Sequence, residues 1–132
     1  MIYYITPRVF GRMTIPIPIQ NAYLRHFAIQ NKLEFSLPSS EVCFPGKYPV
    51  LKALMEKASA SSDFLVLVSI HQLPFDVPNE FESLIGNNNL AKNIKLLTAL
   101  EGLNCSLRDG WGTYSNIYKP LSEWSSAINW KI

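Results

Sequence analysis

Two glutamates and an arginine follow strand-like segments of this 132-residue chain, and together they could carry out acid/base chemistry on an anionic ligand. Glu41 and Glu101 provide carboxyl groups, and a glutamate in a partly dry crevice has a raised pKa that suits a general acid or base. Arg8 provides a guanidinium group, which binds carboxylate or phosphate through two parallel hydrogen bonds. We therefore predict that Glu41 and Glu101 are catalytic and that Arg8 binds the substrate.

Further polar residues are predicted to bind the substrate with Arg8. Some of them follow strand-like segments, and the others lie in the first turns of a predicted helix. Because ligands of open α/β sheets sit beyond the carboxyl ends of the strands, these side chains should face a common crevice. They are Gln20, Asn21, Arg25, Ser69, His71 and Gln72.

Most of these residues also have a purely structural interpretation. Glu41 and Glu101 would cap a helix or form an ion pair with Arg8. Gln20 and Asn21 would cap the helix that they begin. The sequence leaves these alternatives open.

The strands are predicted from apolar runs and from the residues that interrupt them. FLVLV, residues 64–68, shows no polar alternation, which is typical of a parallel strand that is covered on both faces. The aromatic and β-branched segment 2–6 and the segment 94–100 are also predicted strands. Residues 35–37 alternate between apolar and polar side chains and predict a short strand that Pro38 ends.

Two helices are predicted from apolar residues at helical spacing. The first begins near Ile17, and its apolar stripe consists of residues 19, 23, 24, 27 and 28. The stripe of the second consists of residues 50, 51, 54, 55 and 58. Shorter helices are predicted near residues 79–85 and after Pro120, whereas DGWGTYSN, residues 109–116, is predicted to be a loop.

The alternation of strands and helices predicts right-handed crossovers onto one sheet. The predicted fold class is α/β, with three layers and a mostly parallel four- to five-stranded sheet flanked by helices. Residues 1–132 form a single domain in this prediction, and residues 106–132 are its C-terminal aromatic-rich extension. Because this extension contains many aromatic residues and few charges, we expect the chain to form a homo-oligomer.

Composition argues against several classes of protein. The formal charge of +2 and the absence of a basic cluster argue against nucleic-acid binding. No positively charged segment precedes an apolar stretch at the start, and no apolar run reaches the ~18 residues of a membrane span, so we expect a cytoplasmic protein. Cys43 and Cys105 are expected to be free thiols, and no His/Cys spacing favours zinc, so we predict no metal and no cofactor.

Five short segments, in this order and spacing, resemble a family of small bacterial proteins, the sporadic carbohydrate cluster family. The segments are YITPRVFG, IPIQNAYLRHFA, LPSSEVC, LVSIHQLP and TALEGL. The chain departs from the family pattern at Pro7, where a serine is expected, at Arg12, where glycine is common, and at His71, which replaces an aromatic residue. The resemblance marks as functional Arg8, Gly11, Gln20, Asn21, Arg25, Glu41, Ser69, Gln72, Pro74 and Glu101.

The resemblance implies a role in bacterial surface-polysaccharide biosynthesis. The first hypothesis is an enzyme that acts on an activated or acidic sugar by acid/base chemistry, as an isomerase, epimerase or lyase. The alternative is a non-catalytic module that binds a sugar nucleotide or assembles other enzymes of the pathway. Both hypotheses imply a sugar or nucleotide-sugar ligand, and neither nucleic acid nor a membrane as a partner.

The layout of the predicted elements is also similar to the catalytic domain of serine recombinases. The likeness consists of a short first strand with an arginine, a long helix, a Pro-Gly turn before a second helix, and a last strand that ends near a glutamate. It implies a similar α/β fold. The recombinase nucleophile would lie near Pro7 and Arg8, where the chain has no serine, and no basic tail follows. A third hypothesis, a recombinase relative acting on DNA, is therefore disfavoured.

Overall fold

Strands and helices alternate along most of the chain, as the sequence predicts. The computed structural model describes residues 1–9, 14–42, 47–74 and 94–118. A 3₁₀ turn, Ile70–Gln72, follows the third strand, and a π-helical turn, Tyr114–Tyr118, continues the last helix. The other elements are β1 (Ile2–Ile5), α1 (Ile17–Gln30), β2 (Ser39–Ser40), α2 (Pro49–Ser61), β3 (Phe64–Leu67), β4 (Lys95–Thr98), β5 (Leu103–Ser106) and α3 (Leu107–Thr113).

The five strands of the described residues form one sheet in the order β2-β1-β3-β4-β5. β1 pairs in parallel with both β2 and β3, and β3 pairs in parallel with β4. β5 runs antiparallel to β4, and the turn between them contains Gly102 at a φ of 68°, a conformation that favours glycine. The predicted class, a three-layer α/β fold with a mostly parallel four- to five-stranded sheet, is confirmed.

Helices cover both faces of the sheet, which gives the fold its three layers. On one face, Leu24 and Ala28 of α1 pack against Tyr3 and Ile5 of β1. Successive side chains of a strand point to opposite faces, so Tyr4 lies on the other face, with α2 and α3. The buried cluster on that face includes Ile2, Tyr4, Leu51, Met55, Ala58, Leu65, Leu67, Leu96 and Leu107.

The first helix begins where predicted, but its apolar stripe is only partly buried. Leu24 and Ala28 are fully buried, as predicted, whereas Ile19 is 57% exposed and Tyr23 is 38% exposed. Gln20 occupies the buried row in their place. The spacing of apolar residues predicts the buried face of α1 only in part, because a polar side chain with internal hydrogen bonds can be buried as readily as an apolar one.

The second strand lies later in the chain than predicted. Residues 35–37 are not in a strand, and the pairing with β1 begins instead with Ser39, opposite Tyr4. Phe35 packs its ring against that of Tyr3 at a centroid distance of 5.0 Å, and Leu37 is 79% exposed. The alternating pattern therefore reflects one side chain that packs from a loop and another that stays in solvent.

The prediction of a loop at residues 109–116 is wrong, because α3 and the π-helical turn occupy that segment. The Ser106 hydroxyl accepts a hydrogen bond from the backbone N–H of Asp109 at 3.1 Å and so caps the start of α3. Leu107 and Tyr114 are buried in the cluster on the α2 face. The first part of the aromatic-rich extension therefore belongs to the core.

Some predicted features lie outside the described residues. They are the helices near residues 79–85 and after Pro120, the state of Cys43, and the rest of the extension at residues 119–132. Cys105 is a free thiol of intermediate exposure. In the described part of the chain, no helix is both long enough and apolar enough to cross a membrane.

Candidate functional site

The residues that follow β1, β2, β3 and β4 lie along one edge of the sheet, called the carboxyl edge below. These strands are parallel, so their carboxyl ends point the same way. The backbone N–H of Glu41 donates to the carbonyl oxygen of Ile5 at 3.0 Å, which places Glu41 beside the end of β1. The predicted residues that end these strands therefore share an edge, but their side chains have different tasks there.

Gln20 holds the start of α1 against the end of β1. Its side-chain Oε1 accepts a hydrogen bond from the backbone N–H of Thr6 at 3.1 Å, and its Nε2 donates to the Thr6 carbonyl oxygen at 2.6 Å. Nε2 also donates to the carbonyl oxygen of Ile15 at 2.7 Å. Gln20 is fully buried, and these contacts favour its structural interpretation over substrate binding.

Gln72 makes the matching connection from the end of β3. Its Oε1 accepts a hydrogen bond from the backbone N–H of Val68 at 3.0 Å. Its Nε2 donates to Oε1 of Gln20 at 2.9 Å, and the residue is only 4% exposed. The two glutamines thus link α1, β1 and β3 through one buried set of amide hydrogen bonds.

Ser69 and Glu101 form a second polar cluster, between the ends of β3 and β4. The Ser69 hydroxyl donates to Oε2 of Glu101 at 2.9 Å, and the backbone N–H of Ile70 donates to Oε1 at 2.6 Å. His71 follows in the 3₁₀ turn, and its ring lies edge-on to that of Tyr114 at 5.7 Å. Both carboxylate oxygens of Glu101 bind the turn after β3, and its catalytic role stays a prediction.

Glu41 uses one carboxylate oxygen to cap α2. Its Oε2 accepts a hydrogen bond from the backbone N–H of Leu51 at 2.9 Å, in the first turn of the helix. The residue is only 5% exposed. Burial raises the pKa of Glu41, and this effect outweighs the Leu51 N–H, the Tyr4 hydroxyl and the Arg8 charge, which lower it. The group is therefore easier to protonate than an ordinary glutamate.

The carboxyl group of Glu41 also interacts with the hydroxyl of Tyr4. Both atoms, Glu41 Oε1 and Tyr4 Oη, are shielded from solvent, and neither makes a hydrogen bond with the described residues. They are close enough to shift each other's pKa: burial and then the Glu41 charge raise the pKa of Tyr4, and the Tyr4 hydroxyl lowers that of Glu41. Two buried polar side chains thus interact where β1 and β2 end.

Arg8 supplies positive charge to the same place. Its guanidinium carbon lies 4.0 Å from the centre of the Tyr48 ring, and its Nη2 donates a hydrogen bond to the carbonyl oxygen of Lys47. These contacts hold the side chain against the segment before α2. The Arg8 charge lowers the pKa of both Glu41 and Tyr4, so the three groups form one electrostatic unit, called the Tyr4–Arg8–Glu41 cluster below.

The two predicted catalytic glutamates lie at the same edge but far apart. Glu41 follows β2 and Glu101 follows β4, and β1 and β3 lie between those strands. Three interstrand spacings of about 4.8 Å amount to roughly 14 Å. One small ligand group cannot touch both carboxyl groups, so the structure divides the predicted site into two clusters.

Asn21 and Arg25 belong to neither cluster. They line a groove of about 360 Å³ along α1, and the Arg25 guanidinium carbon lies 5.3 Å from the centre of the Phe35 ring. The helix covers the opposite face of the sheet from Tyr4. The groove is lined by Pro18, Asn21, Ala22, Arg25, His26 and Ile29.

Sequence reasoning did not assign to the site Tyr4, which belongs to the cluster, or Tyr48, whose ring packs against Arg8. Tyr4 lies inside the predicted strand, where its aromatic ring indicates only burial, and Tyr48 stands in a turn segment. The available signal was the alternation of the strand, which places Tyr4 on the face opposite Tyr3. Within the described ranges, no group of three or more His, Cys, Asp or Glu side chains is arranged to hold a metal ion.

Comparison with known proteins gives a likeness of fold. No family model and no curated protein matches the chain. A solved structure that matches is a resolvase family site-specific recombinase from Streptococcus pneumoniae, with 14% sequence identity and a TM-score of 0.47. The match covers 95% of this chain and 92% of that chain. At this identity the likeness concerns the arrangement of strands and helices and not the chemistry.

The predicted role in surface-carbohydrate biosynthesis is contradicted by these comparisons. The solved structure found is a recombinase, and no family model connects the chain with the sporadic carbohydrate cluster family. The predicted partners, a sugar or nucleotide-sugar ligand and no nucleic acid, are corrected with it. The physical reason lies in the motifs: Gln20 and Gln72 hydrogen bond within the fold, so a pattern built on them indicates this sheet edge rather than a sugar site.

Proposed function

We propose that the protein binds an oxyanion at the Tyr4–Arg8–Glu41 cluster and that Glu41 exchanges a proton with the bound ligand. The supporting observation is that Glu41 is buried, with one oxygen bound to α2 and the other shielded from solvent and without a hydrogen bond in the described residues. Arg8 offers the positive charge that an oxyanion needs.

The chemistry of the cluster suits an acid/base enzyme. Burial raises the pKa of Glu41, so this carboxyl group takes up a proton more readily than an ordinary glutamate, as suits a general base. A carboxylate or phosphate next to a carbonyl would place an acidic C–H within reach of such a group. Isomerisation and elimination reactions begin with removal of that proton.

Binding can be tested with ¹⁵N-labelled protein and three probes: inorganic phosphate, acetate and a short DNA duplex. These separate free phosphate, carboxylate and the phosphodiester of nucleic acid as sources of the oxyanion. We expect chemical-shift changes at the ends of β1 and β2. The binding affinity should be at least about tenfold weaker in Arg8→Met, since a charge-assisted hydrogen bond contributes about 1.5–3 kcal/mol. Arg25→Met is the matched control on α1 and should bind as the wild type does. Binding that is equal in both variants would place the site elsewhere.

Proton exchange can be tested separately, in D₂O, with pyruvate and acetonylphosphonate as probes. Each carries an oxyanion and exchangeable protons next to a carbonyl. We expect wild-type protein to accelerate deuterium incorporation, followed by proton NMR, and Glu41→Gln to abolish the acceleration. Glu101→Gln, in the second cluster, should retain it. Binding of the probes without faster deuterium incorporation would indicate a non-catalytic binding module.

A further inference from the structure

We infer that the exposed face of α1 is a docking surface for an acidic amphipathic helix of a partner protein. This face contains the groove of about 360 Å³ that runs along the helix, called the α1 groove below. Because α1 covers the opposite face of the sheet from Tyr4, the docking surface is separate from the proposed oxyanion site.

The α1 groove has the shape of the channel between two ridges of side chains on a helix. Residues four apart form such ridges, and the ridges of one helix pack into the grooves of another. The first ridge consists of Pro18, Ala22 and His26, and the second consists of Asn21, Arg25 and Ile29. Ala22 is small and lies in the middle of its ridge, so the axis of a second helix can approach closely. The groove can therefore accommodate a ridge of a partner helix.

The openness of the α1 groove distinguishes it from a site for a small molecule. All six residues that line it belong to α1, and five of them are exposed. Small-molecule sites are concave and bury about 70–90% of the surface of their ligand. A channel on one helix covers only one side of its occupant, as happens when two helices pack together. A protein partner is therefore favoured over a small molecule.

Apolar side chains on the exposed face of α1 supply the area that a docked helix would bury. Ile29 is 68% exposed, Ile19 is 57% exposed and Tyr23 is 38% exposed. Ile29 lines the groove, and Ile19 and Tyr23 lie one turn apart beside the ridge that contains Ala22. Two residues that the sequence predicts in the buried stripe of α1 are thus available to a partner.

The charge of α1 determines which kind of helix is complementary to it. Arg25 and His26 stand on the two ridges, and residues 17–33 contain no aspartate or glutamate. Carboxylates of a partner helix would pair with the Arg25 guanidinium group and accept a hydrogen bond from an imidazole N–H of His26. Charge complementarity therefore favours an acidic helix.

Two other occupants are disfavoured by the same residues. A symmetric contact between two copies of the chain through this face would bring their Arg25 side chains together, and α1 offers no carboxylate to pair with them. Nucleic acid requires a cluster of basic side chains for its phosphates, whereas Ile19, Tyr23 and Ile29 make much of this face apolar.

The inference can be tested with a display library of helical peptides of about five turns, randomised along one face. Peptides are selected on the wild-type protein and counter-selected on Ala22→Gln, in which a longer side chain obstructs the groove. We expect the enriched peptides to carry acidic residues beside leucine or isoleucine at helical spacing. In NMR titrations, an enriched peptide should change the chemical shifts of the α1 amides.

A charge variant and two controls connect the binding to the named residues. Arg25→Gln should bind the enriched peptides about tenfold more weakly, since it loses a charge-assisted hydrogen bond. Added NaCl should weaken wild-type binding more steeply than that of Arg25→Gln, because salt screens the charge pair. Lys52→Gln and Ala53→Gln make the matching changes at exposed positions of α2 and should bind as the wild type does. Circular dichroism of each variant verifies that the fold is kept.

Several results would overturn the inference. Enriched peptides without acidic residues, or with full affinity for Arg25→Gln, would contradict the chemistry of the partner. A library that yields no peptide with shifts on α1 would contradict the docking surface, and shifts of α1 with a short DNA duplex alone would assign this face to nucleic acid. A change of oligomeric state in Ala22→Gln, measured by light scattering, would assign the face to contact between two copies.

Discussion

At the scale of single residues, Glu41 combines a structural and a chemical capacity. Oε2 accepts a hydrogen bond from Leu51 and stabilises the start of α2, while Oε1 is shielded from solvent without a hydrogen bond in the described residues. The structural bond fixes the orientation of the carboxyl group. A side chain that is held in this way keeps its second oxygen in a defined place, as precise proton transfer requires.

The buried carboxyl group should make folding stability depend on pH. The pKa of Glu41 is raised in the folded protein above its ordinary value of 4.5, so the native state holds this proton more tightly than the unfolded state. Its contribution to the free energy of unfolding is therefore fully present below pH 4.5 and is lost as pH rises through the folded pKa. Glu41→Gln cannot titrate and should gain stability relative to wild type as pH rises above 4.5 and through the folded-state pKa of Glu41.

Urea unfolding at a series of pH values measures this difference. Glu56→Gln, on the exposed side of α2, controls for the change in net charge. A difference between wild type and Glu41→Gln that stays constant over the whole pH range would contradict the raised pKa.

The sequence identifies some of these residues and not others, for physical reasons. Arg8 and Glu41 are predicted site residues because their charged side chains follow strand-like segments, and their roles in binding and catalysis stay predictions. Gln20 and Gln72 were predicted to bind substrate, but their actual partners depend on where α1 lies against the sheet. Tyr4 could not be predicted, because an aromatic residue in a buried strand indicates packing and gives no sign of an unbonded hydroxyl.

At the scale of secondary-structure elements, prediction succeeds where the signal is local. β3 and α2 were predicted correctly because an unbroken apolar run and a helical stripe ending in Ser-rich sequence need no distant partner. β2 and β5 are short strands whose existence depends on pairing with β1 and β4. Their own side chains are mostly polar, so no apolar pattern marks them.

The buried hydrogen bond between Gln20 and Gln72 connects α1 with the end of β3, and it allows a test at this scale. Gln72→Met keeps the size of the side chain but leaves the N–H of Val68 without its acceptor and removes one of the two N–H groups that donate to Oε1 of Gln20. We expect a loss of about 2 kcal/mol in the free energy of unfolding, since an unsatisfied buried group costs about 1–3 kcal/mol.

The control for this variant is Asn31→Ala, which removes an exposed side-chain hydrogen bond to Phe27 at the end of α1. Surface changes of this kind stay within about 0.5 kcal/mol. Equal urea midpoints for the two variants would show that the amide network contributes little to the fold.

At the scale of the whole molecule, the order of the strands decides which residues can act together. The sequence places Glu41 and Glu101 at the same edge, but it does not give the strand order β2-β1-β3-β4 that separates them. Only that order assigns Glu41 to Tyr4 and Arg8, and Glu101 to Ser69. A prediction from sequence therefore describes one site where the folded chain has two clusters.

Double-mutant cycles can measure this separation. Residues more than about 7–10 Å apart with no shared partners have additive effects within about 0.5 kcal/mol, and Glu41 and Glu101 are roughly 14 Å apart. We therefore expect the effects of Glu41→Gln and Glu101→Gln on the free energy of unfolding to add. Tyr4→Phe and Glu41→Gln alter adjacent groups and should show an interaction energy above about 0.5 kcal/mol. An interaction energy between Glu41 and Glu101 as large as that between Tyr4 and Glu41 would mean that the whole carboxyl edge responds as one site.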